Sequence, residues 1–295
     1  MKPCSKNRRC QGAGIGLRPA HLHHVLRALP KVPWFEVHSC NFLGGGLNRE
    51  LLEQINQYYP LSFHGVNLNL GGVEQLDYDY LSRLRLAIDH FKPTLISDHA
   101  CFTAHDQHFF HDLMPVPYTE QAASHMAERI IEVQNLLGQR ILLENVSRYF
   151  SYPESTLSEG EFLAQVSTLS DCGLVLDLNN AYVNFHNHGD DVDEFITALP
   201  LNRIAEIHLA GHSKQDGMLI DTHNQPVCDE VWDIYRSCVE RLPNTPSLIE
   251  WDSDLPDFSV LIEEQNKAAD IASGATTLSL ASNTSALSSN SACEL

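Results

Sequence analysis

The chain has 295 residues, 43% of them hydrophobic, enough to bury a large core in a single domain of the size α/β barrels reach. Its 19 Lys and Arg against 38 Asp and Glu leave a net charge of −19, a field that repels phosphate backbones and anionic membranes, so neither nucleic acid nor a membrane is an expected partner. No stretch approaches the roughly 18 apolar residues of a spanning helix, and the basic start MKPCSKNRRC leads into no apolar export segment, so the protein is expected to be cytoplasmic.

Residues 1–11 read as a flexible N-terminus, and strand-type runs then alternate with helical patterns to residue 267. GIGL (14–17) precedes the helical PAHLHHVLRAL, WFEVH (34–38) precedes RELLEQINQYY, and LSFHGV (61–66) precedes DYLSRLRLAIDHF. TLISDH (94–99) is followed by TEQAASHMAERIIEVQNLLG, where Thr119 can cap the start and Gly138 the end. RILLENV (140–146) leads to SEGEFLAQVSTLS, which opens on the capping box Ser158-x-x-Glu161. GLVLDL (173–178), then VDEFITAL, RIAEIHLAG (203–211), CDEVWDIYRSCVERL and SLIEWD (247–252) complete the series. Eight near-continuous apolar strands suit a parallel sheet covered on both faces, and right-handed βα units of this number predict a TIM (β/α)8 barrel over residues 12–267. Residues 268–295 turn to Ala, Ser, Thr and Asn, with little apolar mass to bury, and read as a disordered tail.

Six of these runs end on a side chain that binds hard or borderline metals: His64, His99, Glu144, Asp177, His208 and Glu250. In a barrel the C-terminal strand ends gather into one rim, so the repetition points to a single site rich in nitrogen and oxygen donors. In SDHA the adjacent Asp98 and His99 point to opposite faces of an extended chain, and His99 is taken as the inward one. Glu144 and Asp177 each end an apolar run, and a carboxylate buried there needs a partner that a chain with 19 Lys and Arg supplies poorly. Asn145 and Asn180 stand beside them as companions. The loop DTHNQPV offers Asp221 and His223 at i,i+2, on one side of an extended segment, and Glu250 and Asp252 repeat that spacing on the last strand. Asp252 is expected as an acid, base or substrate contact, and His212 as a group that orients substrate or a ligand.

The donors are His, Asp and Glu. The eight cysteines (4, 10, 40, 101, 172, 228, 238, 293) form no CxxC pair, so they read as small core residues or surface thiols, not as a disulfide framework or thiolate zinc site. Such a set suits iron, manganese or zinc, and its size exceeds one octahedron, so more than one ion is expected, with Glu144 or Asp177 able to bridge. GAGIGL lacks the GxGxxG period of a dinucleotide fingerprint, and no GxxxxGK is present.

In order, HLHHVL, WFEVHSCNFLGGG, FHGVNLNL, SDHACF, LLENVSRY, LDLNNAYVN, EIHLAGH, IDTHNQPV and LIEWD resemble the DUF692 or UPF0276 family, the multinuclear non-heme iron-dependent oxidative enzymes, over about residues 12–265. The resemblance implies a xylose-isomerase-like barrel holding two or three irons, and oxidation of cysteine-containing, ribosomally made precursor peptides with dioxygen, as in methanobactin biosynthesis. It also implies a partner protein that presents the peptide. Carried over by position, the family's metal motifs fall on His64, His99, Glu144, Asp177, His208, Asp221, His223 and Glu250, with Asn145 and Asn180 beside them. One departure stands out: Cys40 occupies a position where the family often has an acid. A metal-dependent sugar isomerase or hydrolase on the same barrel, with zinc or manganese, and a non-catalytic metal- or peptide-binding protein are the competing expectations.

Overall fold

A computed structural model describes residues 9–106 and 108–289, with side chains through residue 274. Eight parallel strands close into a barrel: β1 (Ala13–Gly16), β2 (Phe35–His38), β3 (Leu61–His64), β4 (Leu95–His99), β7 (Leu142–Glu144), β8 (Gly173–Asp177), β9 (Ile204–Leu209) and β12 (Ser247–Ile249). β1 pairs with both β2 and β12, which seals the sheet. All eight sequence-predicted strands are present, the first shifted by one residue toward the N-terminus and the others trimmed by one to four residues in total at their ends.

The outer layer is α1 (Leu22–Ala28), α2 (Leu47–Ile55), α3 (Tyr78–Phe91), α4 (Glu120–Leu137), α5 (Glu159–Ser170), α6 (Leu178–His188), α7 (Val192–Ala198), α8 (Asp229–Arg241) and α9 (Phe258–Ser289). Thr119 accepts a hydrogen bond from the Ala122 amide at 3.1 Å, the Ser158–Glu161 capping box closes in both directions, and Gly138 ends α4 at φ +68°, all as their sequence positions predict. The main core lies between strands and helices, where Leu52, Phe63, Phe162 and Trp232 are fully buried. At the N-terminal end of the barrel a smaller cluster joins Cys10, Trp34 and Leu248. Gly14 is required there, since a Cβ would sit 2.4 Å from the Trp34 ring.

Four strands and two helices escaped the sequence reading. Two antiparallel hairpins leave the barrel rim, one formed by β5 (Cys101–His105) and β6 (His108–Pro115), the other by β10 (Ser213–Gln215) and β11 (Met218–Ile220). Their residues are mostly exposed or half-buried, so they lack the alternation that marks a strand with one buried face. α6 is read from LNNAYVNFHNH, whose polar residues look like loop, yet Asn179, Asn180 and Asn184 are buried and hydrogen-bonded. α9 runs across the expected domain boundary at 267. The helix runs on through Ser289, Ala268 is fully buried, and Ile271 and Ala272 pack against the core, because small residues let a helix lie close to its neighbours. The disorder expected for 290–295 falls outside the described residues, as does residues 1–8 of the expected flexible N-terminus. Cys10 is instead buried, its thiol 2.8 Å from the Thr94 hydroxyl.

Because α9 packs on β1, β12 and α8, Leu261→Ala, which empties a fully buried site, is expected to lower stability by about 2–5 kcal/mol in urea unfolding. A loss below about 0.5 kcal/mol, the range of surface substitutions, would mean that α9 is not part of the folded core.

Candidate metal centre

Strand residues two apart face the same way, so each barrel strand sends one side chain into the axis near its C-terminal end and another one level below. The upper tier contains His64, His99, Glu144, Asp177, His208 and Glu250, all buried. The side chains converge. Glu144 Oε2 lies 3.5 Å from His64 Nε2 and 3.6 Å from His99 Nε2, while its Oε1 lies 3.4 Å from His208 Nδ1. His208 Nδ1 is also 3.1 Å from Glu250 Oε2. Two groups result, His64–His99–Glu144 and Glu144–Asp177–His208–Glu250, each with its donor atoms within 4.8 Å of one another. Glu144 belongs to both.

Among the described residues no Lys or Arg pairs with Glu144 or Asp177. Both oxygens of Glu144, Oδ2 of Asp177, Oε2 of Glu250 and both ring nitrogens of His208 are buried without a hydrogen-bond partner. Buried polar atoms of native proteins are almost always paired, so a concentration of unpaired donors of this kind is the signature of a cation site. Burial, with Glu144 and Asp221 nearby, pushes the Asp177 carboxyl well above its usual range against the pull of His223. Burial pushes His208 and His223 down, but the surrounding carboxylates, Glu144 foremost for His208 and Asp221 for His223, draw both well above the ordinary imidazole range.

The loop after β11 brings in the remaining pair. His223 Nε2 is 2.6 Å from Asp221 Oδ1, and its Nδ1 is 3.4 Å from Glu250 Oε2. His223 has φ +44°, a left-handed conformation that costs a residue with a Cβ about 1–2 kcal/mol. A backbone hydrogen bond from the Asp252 amide to the His223 carbonyl, 2.7 Å, holds it there. Gly211 makes the approach possible, since a Cβ on it would stand 2.0 Å from the Gln225 carbonyl oxygen.

Other expected site residues take different places. Asn145 is engaged with the neighbouring strand: its Oδ1 accepts from the Asp177 amide and its Nδ2 donates to the Asp177 carbonyl, both at 2.9 Å, so it positions Asp177. Asn180 lines the cavity, with its Oδ1 accepting from Ser147 at 2.7 Å and its Nδ2 donating to the Asn145 carbonyl. Its amide also caps onto Asp177 Oδ1 at 2.6 Å, which leaves Oδ2 as the free atom of Asp177. His212 stands outside the cavity lining; it contacts Asn179 Oδ1 at 2.8 Å, and Asn179 Nδ2 in turn donates to Asp221 at 2.8 Å. Asp252 is at the cavity mouth, gripped by Arg18, whose Nε donates at 3.0 Å. Burial and Glu250 push its pKa up, but Arg18 and His223 prevail and bring it to about 2. Asp98 faces away from the ring, accepting from the Asn67 and Leu68 amides, as the choice of His99 requires. Cys40 is exposed and lies off the cavity lining.

The sequence reading missed Glu36, His38, Glu206 and Arg18. His38 Nε2 lies 3.5 Å from Glu250 Oε1, and Arg18 donates to that same oxygen at 3.1 Å. A signal was available: FEVH, LSFH, LISDH and AEIH each carry Glu or Ser two residues before a strand-end His, the period that puts both on the axis. Above the ring opens a cavity of about 480 Å³, bounded on one side by Phe109, Phe110, His111 and Asp112 of the β5–β6 hairpin.

Residues 12–273 match the family described as RiPP precursor modification enzyme MbnB/TglH/ChrH. A UPF0276 protein of Acaryochloris marina is 47% identical over 258 residues, covering 88% of this chain and 94% of its own length. Among solved structures, endonuclease IV from Thermus thermophilus superposes with a TM-score of 0.60 at 15% identity, covering 88% of this chain and 99% of its own. A xylose isomerase domain containing protein from Salmonella typhimurium gives 0.57 at 13% identity, covering 94% of this chain and 100% of its own. These two likenesses are of fold alone.

If Glu144 is shared, Glu144→Ala should strip metal from both groups, whereas Asp177→Ala should empty only the second; metal analysis of the purified variants reads this directly. Retention of one ion at undiminished affinity in Glu144→Ala would show that the groups are independent. Since the surrounding carboxylates raise the proton affinity of His208 and His223 and a ligand must shed its proton to bind, apparent metal affinity is expected to rise with pH and metal addition to acidify a weakly buffered solution. A pH-independent affinity in a competition titration would contradict this.

Proposed function

The chain belongs to the MbnB/TglH/ChrH family of RiPP precursor modification enzymes, and on that premise we propose that it oxidises cysteine in a ribosomally made precursor peptide, using iron and dioxygen. The observation that carries the reading is the sharing of Glu144 between two His-and-carboxylate groups at the floor of one cavity, which suits a pair of neighbouring ions bridged by a carboxylate. Every donor is nitrogen or oxygen, a set that suits iron, zinc and manganese alike. Oxidation of a peptide needs a redox-active ion, which sets zinc aside, and of the remaining two the proposal takes iron, the ion the family resemblance implies. Two irons would be held by the two groups, and Asp221 with His223 supports a third.

Iron bound there would supply the one-electron chemistry. The chain's own residues do the rest. The cavity, about 480 Å³, suits a side chain and a short length of backbone more than a folded partner. Phe109, largely exposed on the hairpin, and Phe110 beside it offer an apolar wall to a peptide entering over the ring. Asp252, kept ionised by Arg18, can accept a hydrogen bond from the bound peptide at the cavity mouth. His212 acts at one remove, steadying Asp221 through Asn179. A peptide-presenting partner protein and a cytoplasmic setting complete the proposal. No helix among the described residues is long and apolar enough to cross a membrane. The isomerase and hydrolase readings rest on barrel likeness alone.

Aerobic incubation of the iron-loaded protein with the Cys-containing peptide encoded beside its gene, together with any adjacent partner protein, is expected to change the peptide mass, and Cys→Ser in the peptide to abolish the change. An unmodified peptide despite full iron and partner, or equal activity with zinc, would overturn the proposal.

A further inference from the structure

Beneath the ring lies a lower tier that the proposed chemistry does not use. Glu36, Ser62 and Glu206 are fully buried on the barrel axis, two residues before His38, His64 and His208 on their strands. Ser62 Oγ lies 3.2 Å from Glu36 Oε2 and 3.4 Å from Glu206 Oε2. Among the described residues no Lys or Arg pairs with either carboxylate; their ion-pair neighbour is His208, whose Nε2 is 3.5 Å from Glu36 Oε2 and 3.7 Å from Glu206 Oε1. Two acids sealed in a barrel cost several kcal/mol in desolvation, so a role in folding alone explains them poorly.

The upper histidines show what such a tier can do. His64 turns Nδ1 to the Ser97 hydroxyl at 2.7 Å, and His99 turns Nδ1 to the Gly65 carbonyl at 3.1 Å, so both aim Nε2 at Glu144. His208 is reversed. Its Nδ1 faces Glu144 and Glu250 at 3.4 and 3.1 Å, and its Nε2 points down at the two acids. A histidine that binds a metal through one nitrogen commonly donates the N–H of the other to a carboxylate or carbonyl, which fixes its tautomer and makes it a better ligand.

We infer that Glu36 and Glu206 are positioning residues that hold the His208 proton on Nε2 and so present Nδ1 to the ions above. The inference rests on the metal-centre part of the proposed function. It gives His208 an orientation opposite to that of His64 and His99, and it assigns the lower tier to the support of one ligand.

The test uses histidine labelled with ¹⁵N in the full chain loaded with zinc, which is spectroscopically silent. Long-range ¹H–¹⁵N spectra, with the His208 signals identified by their absence in His208→Gln, are expected to show Nε2 protonated and Nδ1 bound. Glu36→Leu and Glu206→Leu are then expected to weaken zinc binding about 10- to 100-fold with the number of ions per chain unchanged, and the Gln variants, which keep an accepting oxygen, to restore most of the affinity. Binding through Nε2, unchanged affinity in both Leu variants, or loss of a whole ion, which would make the acids ligands, overturns the inference. If the wild-type protein binds no zinc and no iron, the metal-centre reading falls and takes this one with it; if it binds metal with His208 reversed, this one falls alone. The wild-type spectrum decides the orientation even where a Leu variant fails to fold.

Discussion

Electrostatic repulsion among buried carboxylates governs this molecule. Two unit charges 4 Å apart interact by about 4 kcal/mol even at an effective dielectric of 20, and Glu144, Asp177, His208 and Glu250 bring side-chain atoms within 4.8 Å of one another, with Asp221 and Asp252 next to them. Arg18 answers part of this charge through Glu250 and Asp252 and does not reach Glu144 or Asp177. The same carboxylates draw the pKa values of His208 and His223 upward, so a proton there is favoured by the same charge. Cations bound between the groups would answer it most directly.

The barrel makes that arrangement stable by fixing backbone before side chains. Asn145 bridges β7 to β8 through both atoms of its amide, so the strand ends carrying Glu144 and Asp177 are tied at one height. Asp177 caps α6 with one oxygen and keeps the other for the site, which couples the start of a helix to the placement of a ligand. Asn179 and Asn180 on the first turn of α6 then reach Asp221 and the Asn145 backbone. A segment that looks like polar loop is thus a rigid bracket between two parts of the centre.

The rim contributes what a closed barrel cannot. β5–β6 and β10–β11 rise from the C-terminal face, and the loop after the second of them carries Asp221 and His223 inward. The first hairpin leaves Phe109 exposed over the cavity, an arrangement suited to a partner molecule that supplies the missing contacts. Ligands on strand ends and substrate-facing groups on loops is the division of labour that lets one barrel serve many chemistries.

Much of the barrel and its ring was legible in the chain, because both are written in local patterns. Apolar runs mark the strands, and a carboxylate or histidine ending six of them marks the rim, so His64, His99, Glu144, Asp177, His208 and Glu250 follow from strand register alone. Glu36, His38 and Glu206 obey the same two-residue period, and went unread because a single polar residue inside an apolar strand carries little weight until its neighbours across the barrel are known. Roles, by contrast, depended on which atom met which partner. Asn145 braces Asp177, His212 fell behind Asn179, Asp252 met Arg18 from a loop more than two hundred residues away, and Ala268 is buried against the core at the start of the Ala- and Ser-rich segment. Residue type and spacing determine which faces a side chain can occupy; only closure of the sheet decides what stands opposite, and it is the opposite partner that sets the charge, the hydrogen bond and the use of each group.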